Sequence, residues 1–413
     1  MNPYAILVGL LVLAWAGDAL ARPKSRRALG LSSGAEFLFA GILIGPLGVA
    51  AVTRPTLDAL APLTLAAASW LALLVGSQLG YAGARRVPAA RLLLGLGLGA
   101  AVFALCGALG WWLVPLALPL DGDERLFVAL GLGCVGSETA RAALVWGAER
   151  PGVRGPLHDA LADLAEADDV VPLLGLALLF ALAPQPEDAA LRGAPLAALG
   201  ITLALGLVMG ALAAMLTRIE ARTTERWGIL LGAALLATGL AAQLGLAAPA
   251  ALCVMGAALN LLAPDGARLR AMLATTTRPV LLPVVALAGA HLDVRDGLAL
   301  WLVMALVPLA RLAVKVPALA ALRERLAPPL RPAWWIGLAL MGCGPVTACV
   351  GLVVAARLPG PVGRLVLGAA VASIAVGELL GAGALRRQLE RAGEWQPRPP
   401  DPVPGATAAK GPP

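Results

Sequence analysis

Thirteen long apolar runs, separated by short charged, Pro-rich or Gly-rich breaks, make up most of the 413 residues. They span approximately 4–21, 34–50, 57–81, 89–119, 126–148, 155–183, 193–217, 227–243, 245–262, 272–291, 297–322, 332–356 and 362–386. About 20 apolar residues in helical form match the ~30 Å hydrocarbon core of a bilayer, so this pattern restricts the fold class more than any other feature. The runs are continuous and rich in Leu and Ala rather than alternating, which excludes a β-barrel. The expected fold is therefore an all-α polytopic membrane protein with about 13 transmembrane helices.

Charge agrees with this reading. Only 14% of residues are charged, against ~25% in soluble domains. Gly and Pro, 48 and 33 residues, are tolerated in spanning helices because neighbouring helices satisfy the backbone groups they free. The net charge of +7 belongs to basic cytoplasmic loops rather than to a nucleic-acid surface. Five cysteines lie in apolar runs without a C-x-x-C, so they build neither a disulfide framework nor a zinc site.

The first run carries Ala19-Leu20-Ala21, which fits a signal-peptide cleavage pattern. However, Arg22, Lys24, Arg26 and Arg27 follow the run and none precedes it. It reads as a retained helix with its N-terminus outside. Alternate loops and helix ends then carry 22 Lys/Arg inside, the C-terminal tail included, against 6 outside. This bias places an inner-membrane protein with its N-terminus outside and its C-terminus in the cytoplasm. Residues 1–388 are expected to form the transporter domain, and 389–413, with Pro397 to Pro404, a disordered cytoplasmic tail.

An internal repeat runs through the apolar segments. Ala35-Glu-Phe-Leu-Phe-Ala-Gly41 is echoed by Ala250-Ala-Leu-Cys-Val-Met-Gly256, and Leu74-Val-Gly76-Ser-Gln-Leu79 by Leu287-Ala-Gly289-Ala-His-Leu292. Gly133-Cys134 through Thr139-Ala140 is echoed by Gly342-Cys343 through Thr347-Ala348. The echoes pair segments 2, 3 and 5 with 9, 10 and 12. An offset of seven spans turns the second copy upside down, giving inverted repeats over approximately 34–183 and 245–386. Secondary transporters share this plan, with the site at the midplane between repeats.

The charges inside the apolar runs are the candidate chemistry. Segments 5 and 12 have helix-weakening centres, Gly131-Leu-Gly133-Cys-Val-Gly136-Ser-Glu138-Thr139 and Gly342-Cys-Gly344-Pro345-Val-Thr347, and read as discontinuous helices. Residues 131–136 match G-x-G-x-x-G, but no βαβ unit surrounds them. Segment 6 holds Asp159, Asp163, Glu166, Asp168 and Asp169. Asp159 and Asp163 read as a polar helix entrance. Asp168 and Asp169 stand ~20 Å along the helix from residue 155, near mid-bilayer. Carboxylates there cost several kcal/mol unless paired, hydrated or protonated, so an adjacent pair marks a site that exchanges protons for a cation. Segment 11 offers counter-charges: Lys315 to pair with Asp168, and Arg311 as the rival. Glu138 and Arg141, an i,i+3 pair, are read as neutralising each other. Glu378 is a further intramembrane charge, Glu36 an interfacial residue and His291 a structural one.

In order and spacing these motifs resemble the monovalent cation:proton antiporters, in the sodium/hydrogen exchanger-like branch that also holds potassium efflux systems. Gly41-Ile-Leu-Ile-Gly45-Pro46 is similar to that family's second-helix signature, Val75-Gly76-Ser-Gln-Leu79 to the end of its third helix, Ser137-Glu138-Thr139-Ala140 to its first broken helix, and Asp168-Asp169 to its acidic pair. The resemblance implies two inverted five-helix repeats with crossed discontinuous helices, a homodimer, and a transporter rather than an enzyme, with no cofactor beyond its transported cation and H⁺. It implies that Asp169 binds Na⁺ or K⁺ and H⁺ alternately. Asp168 pairs with Lys315 and gates the site, while Thr139 and the half-helix ends around Thr347 help hold or neutralise the ion. Glu138, Arg141 and Glu166 depart from the family pattern. Two other functions fit parts of the same residues. One is Na⁺-coupled symport of a small organic anion, which Arg141 would favour. The other is a membrane-embedded metal-dependent transferase, with Asp159-x-x-x-Asp163 and Asp168-Asp169 holding Mg²⁺.

Overall fold

The computed structural model describes residues 35–82, 85–140, 155–185, 194–219, 222–263, 265–326 and 332–395. In chain order the elements are α1 (Ala35–Ile44), α2 (Arg54–Ala59), α3 (Ala61–Gln78), a two-stranded hairpin of β1 (Tyr81–Ala82) and β2 (Arg85–Arg86), α4 (Ala89–Ala117), α5 (Gly122–Ser137), α6 (Pro156–Asp168), α7 (Val170–Leu182), α8 (Pro195–Ile219), α9 (Thr223–Gln243), α10 (Ala248–Leu262), α11 (Gly266–Ala274), α12 (Thr277–Ala290), α13 (Gly297–Leu326), a 3-10 helix (Trp334–Leu340), α14 (Pro345–Arg357) and α15 (Pro361–Arg391). Six of the described helices are long and apolar enough to cross a membrane, and two bent pairs raise the number to eight. Leu116, Leu196 and Leu261 are at least 80% exposed, which suits a lipid-facing wall.

Prolines set the starts of several elements. A Pro occupies the first or second position of α2, α3, α6, α10, α14 and α15, where its missing N–H has no intrahelical partner to lose. Helix α5 begins instead with a capping box between Asp121 and Glu124, whose backbone N–H lies 2.7 Å from Asp121 Oδ1.

Three interruptions position the site. Helix α5 stops at Ser137, and Glu138 is extended (φ −65°, ψ 146°). The 3-10 helix and α14 are bent by 54° across residues 341–344, because Pro345 pushes Gly344 away from helical angles (φ −148°, ψ −136°). The third interruption corrects a sequence expectation. Residues 155–183 form two helices that meet at Asp169, not one. Pro172 explains the break: it supplies no N–H to the carbonyl of Asp168 four residues earlier, and its ring crowds that carbonyl.

Contacts between helix ends sort into two sets. Arg54 bonds Asp293 at 2.8 Å, Arg364 bonds Asp296 at 2.6 Å, and Arg357 donates to Pro184 O at 2.7 Å. In the other set Arg226 meets Asp265 at 3.1 Å, Arg218 donates to Leu262 O at 2.6 Å, and Arg91 meets Asp163 at 2.8 Å. Each contact joins ends that the alternating loop count puts on one face. The C-terminal boundary also differs from expectation. α15 runs to Arg391, and Glu394 folds back so that its carboxylate accepts the N–H groups of Leu157 and His158, each at 2.8 Å, at the start of α6.

Two helix crossings are closed by glycine. A Cβ at Gly41 of α1 would meet Ala286 O of α12, and one at Gly289 of α12 would meet Leu38 O. A Cβ at Gly76 of α3 would meet Cys253 O of α10, and one at Gly256 of α10 would meet Leu73 O. Small residues let backbones approach where lipid supplies no hydrophobic drive. Gly256→Leu should therefore lower stability by roughly 1–3 kcal/mol or more, read as a fall in the melting temperature of the detergent-purified protein. Gly200, with open space around it, should accept Ala with no comparable loss.

Candidate functional site

The interrupted stretches 138–140 and 341–344 touch, with the Ala140 N–H donating to Gly342 O at 2.9 Å. Helix ends leave carbonyls and N–H groups without intrahelical partners, and away from water each must find another. Two side chains fulfil most of that need. Arg311, on the inward face of α13 and fully buried, donates to Glu138 O at 2.5 Å, Met341 O at 3.1 Å, Gly342 O at 3.3 Å and Leu340 O at 3.4 Å, and also to Gly136 O. Its guanidinium thus binds the carbonyl ends of both α5 and the 3-10 helix, where the peptide dipoles leave negative charge. Glu138 does the converse for α14. Its carboxylate accepts from Val346 N at 3.2 Å, Gly344 N at 3.3 Å and Thr347 N. The Thr347 hydroxyl donates to Val135 O at 3.3 Å and ties α14 back to α5.

The expected Glu138–Arg141 pair involves a residue outside the described ones, Arg141. The Glu138 carboxylate is committed to α14.

One turn after Arg311, Lys315 also points inward and is fully buried. Its Nζ donates to Thr139 Oγ1 at 2.6 Å and Leu340 O at 3.1 Å, with Glu138 O at 3.5 Å, and stands 3.6 Å from Asp168 Oδ2. The Thr139 N–H donates to Asp168 Oδ1 at 3.0 Å, and its hydroxyl donates to Oδ2. Between the two sequence candidates, the structure pairs Lys315 with Asp168 and gives Arg311 to the carbonyls. At the crossing Lys315 has Asp168 as its carboxylate partner, while Arg311 is held by carbonyls.

Asp169 adds a further carboxylate at the α6–α7 junction, buried to 8% exposure and close to Cys253 of α10. Adjacent in sequence, Asp168 and Asp169 thus serve different surroundings: one faces the crossing, the other α10. Glu166 is buried one turn earlier. Glu378 is buried on α15 with Glu36 of α1 nearby, and its neighbour Gly377 packs against Met341 and Cys343 of the interrupted stretch. His291 closes α12, its Nδ1 2.9 Å from Leu287 O.

Asp163 was read as a helix-entrance residue, yet it is fully buried with Arg91 at 2.8 Å. Asp159 stays half exposed beside His158. Among the described residues no three His, Cys, Asp or Glu side chains converge as a metal site, so the Mg²⁺ arrangement of the transferase reading is not built there.

No protein-family model and no curated sequence matches the chain. Among solved structures it is similar to the sodium proton antiporter MjNhaP1 from Methanocaldococcus jannaschii at pH 8, with a TM-score of 0.65 and 15% identity over 93% of this chain and 100% of that one. An electron-microscopy map of MjNhaP1 gives a TM-score of 0.63 at 16% identity, covering 95% and 99%. The chain shares that fold over nearly its whole length.

Removing Arg311 strands the carbonyls of α5 and of the 3-10 helix. Arg311→Met should cost about 3–5 kcal/mol, because several buried carbonyls lose their donor at ~1–3 kcal/mol each, a loss that thermal unfolding would measure.

Proposed function

We propose that this protein exchanges a monovalent cation, Na⁺ or K⁺, for protons by alternating access, with Asp169 as the carboxylate that takes either ion. The observation that carries the reading is the pair of adjacent buried carboxylates at a helix break beside the contact of two interrupted chains. A carboxylate kept from bulk water is stabilised by a proton or by a desolvated cation, and the two compete for the same oxygens. Thr139 and Lys315 hold both oxygens of Asp168. That carboxylate serves as the gate: neutralising Asp168 releases Lys315, and a released ammonium must find new partners or lose its proton. The fold shared with a sodium proton antiporter is in keeping with this chemistry.

The architecture we propose with it has thirteen helices, two inverted repeats and crossed discontinuous helices, working as an inner-membrane homodimer with the C-terminus inside. Reciprocal glycine contacts support the repeat. The sequence echo aligns Gly41 with Gly256 and Gly289 with Gly76. A two-fold axis that exchanges these positions turns the Gly41–Ala286 contact into Gly256–Leu73, and Gly289–Leu38 into Gly76–Cys253; both partners are present. Symport of an organic anion is less well supported, since Arg311, a side chain that could bind a substrate carboxylate, is engaged by backbone carbonyls.

Asp169→Asn should abolish cation-driven proton movement in proteoliposomes while changing thermal stability little; retained exchange would refute the assignment. Asp168→Asn should differ by also destabilising the protein, by about 3–5 kcal/mol, because Lys315 would remain buried beside a neutral partner.

A further inference from the structure

A groove of about 530 Å³ opens on the outer side of α13 where the short 3-10 helix packs against it, lined by Leu309, Ala313, Pro317, Trp334, Trp335 and Leu338 among others. All its lining residues are apolar, and the groove lies on the back of the helix whose inner face carries Arg311 and Lys315. Leu309 and Trp334 are 61% and 62% exposed. Leu309 to Pro317 covers roughly 12 Å of α13 at 1.5 Å per residue, a length suited to part of an acyl chain. At the tryptophan end the guanidinium of Arg391, an exposed residue, lies 5.1 Å from the Trp335 ring centroid. A tryptophan with an arginine beside it is the usual makeup of a helix end at headgroup level.

We propose that this groove holds one anionic phospholipid, its acyl chain along α13 and its phosphate at Arg391. The apolar floor gains nothing from hydrophobicity in a bilayer, because lipid tails are as apolar as leucine. Filling the concavity contributes van der Waals contact, and the charge at the rim selects the headgroup. The site also bears on the crossing. The bound chain would press on the 3-10 helix whose Leu340 carbonyl accepts from Lys315 and Arg311, so lipid occupancy would brace that end of the network.

The test needs no transport assay, so its outcome is independent of the antiport reading. Delipidated full-length protein is offered equal amounts of phosphatidylglycerol and phosphatidylcholine with identical acyl chains, and retained lipid is counted by native mass spectrometry. Wild type should retain phosphatidylglycerol about fivefold over phosphatidylcholine, the factor one basic residue provides near anionic headgroups. Arg391→Gln should bring the ratio near one, and Ala313→Trp, which fills the groove, should lose the retained lipid. If Ala313→Trp does not fold, dibrominated phosphatidylglycerol should quench wild-type tryptophan fluorescence more than that of Trp334→Phe/Trp335→Phe. Equal retention of both lipids by wild type would overturn the proposal. So would unchanged retention in Ala313→Trp, or equal quenching of wild type and the double variant.

Discussion

Helix ends inside a membrane have no water to turn to, and much of the site's geometry follows from how this chain satisfies them. Arg311 gathers carbonyls from α5 and from the 3-10 helix, and Glu138 gathers the first N–H groups of α14. Each alone would be a costly buried charge. Each matches the dipoles of the elements it terminates. Gly342, Gly344 and Pro345 are useful only because these two side chains replace the hydrogen bonds that the interrupted backbone gives up.

Thr139 belongs to the same interrupted stretch, and through it the crossing reaches the acidic pair. Its N–H and hydroxyl hold Asp168, while its oxygen accepts from Lys315. A residue in regular helix spends its backbone N–H on the carbonyl four residues back; the extended Glu138 before it leaves the Thr139 N–H available for a carboxylate. Pro172 ends α6 just after Asp168, whose carbonyl it cannot bond. Asp168 and Asp169, adjacent in sequence, point about 100° apart on a helix, and Asp168 is held at the crossing by Thr139 and Lys315.

Around this centre the packing varies in closeness. Backbone meets backbone at the glycines of α1, α3, α10 and α12, and Gly337 sets the 3-10 helix equally close to α13 at Lys315. Tight crossings of this kind leave little freedom within a helix pair, so relative motion would fall to larger groups of helices. Glu394, capping α6 at its first turn, adds a tie between the end of α15 and the helix that ends in Asp168.

By itself the sequence determined the membrane class and the helical character, because span length and missing charge follow directly from bilayer thickness. It also located the weak points at residues 131–139 and 342–347 and the acidic pair, since Gly, Pro and intramembrane charge carry a cost readable without coordinates. It did not disclose the break at Asp169, because Pro172 is also compatible with a helix that merely bends. Nor could it divide labour among Glu138, Arg311 and Lys315. Glu138 lies on a different element from Arg311 and Lys315, which sit one turn apart on α13, and their partners are mostly backbone groups, which look the same in every residue. Only the tertiary structure decided which cation takes the carboxylate and which takes the carbonyls, because that choice depends on which orphaned groups the crossing brings within hydrogen-bond reach of each turn of α13.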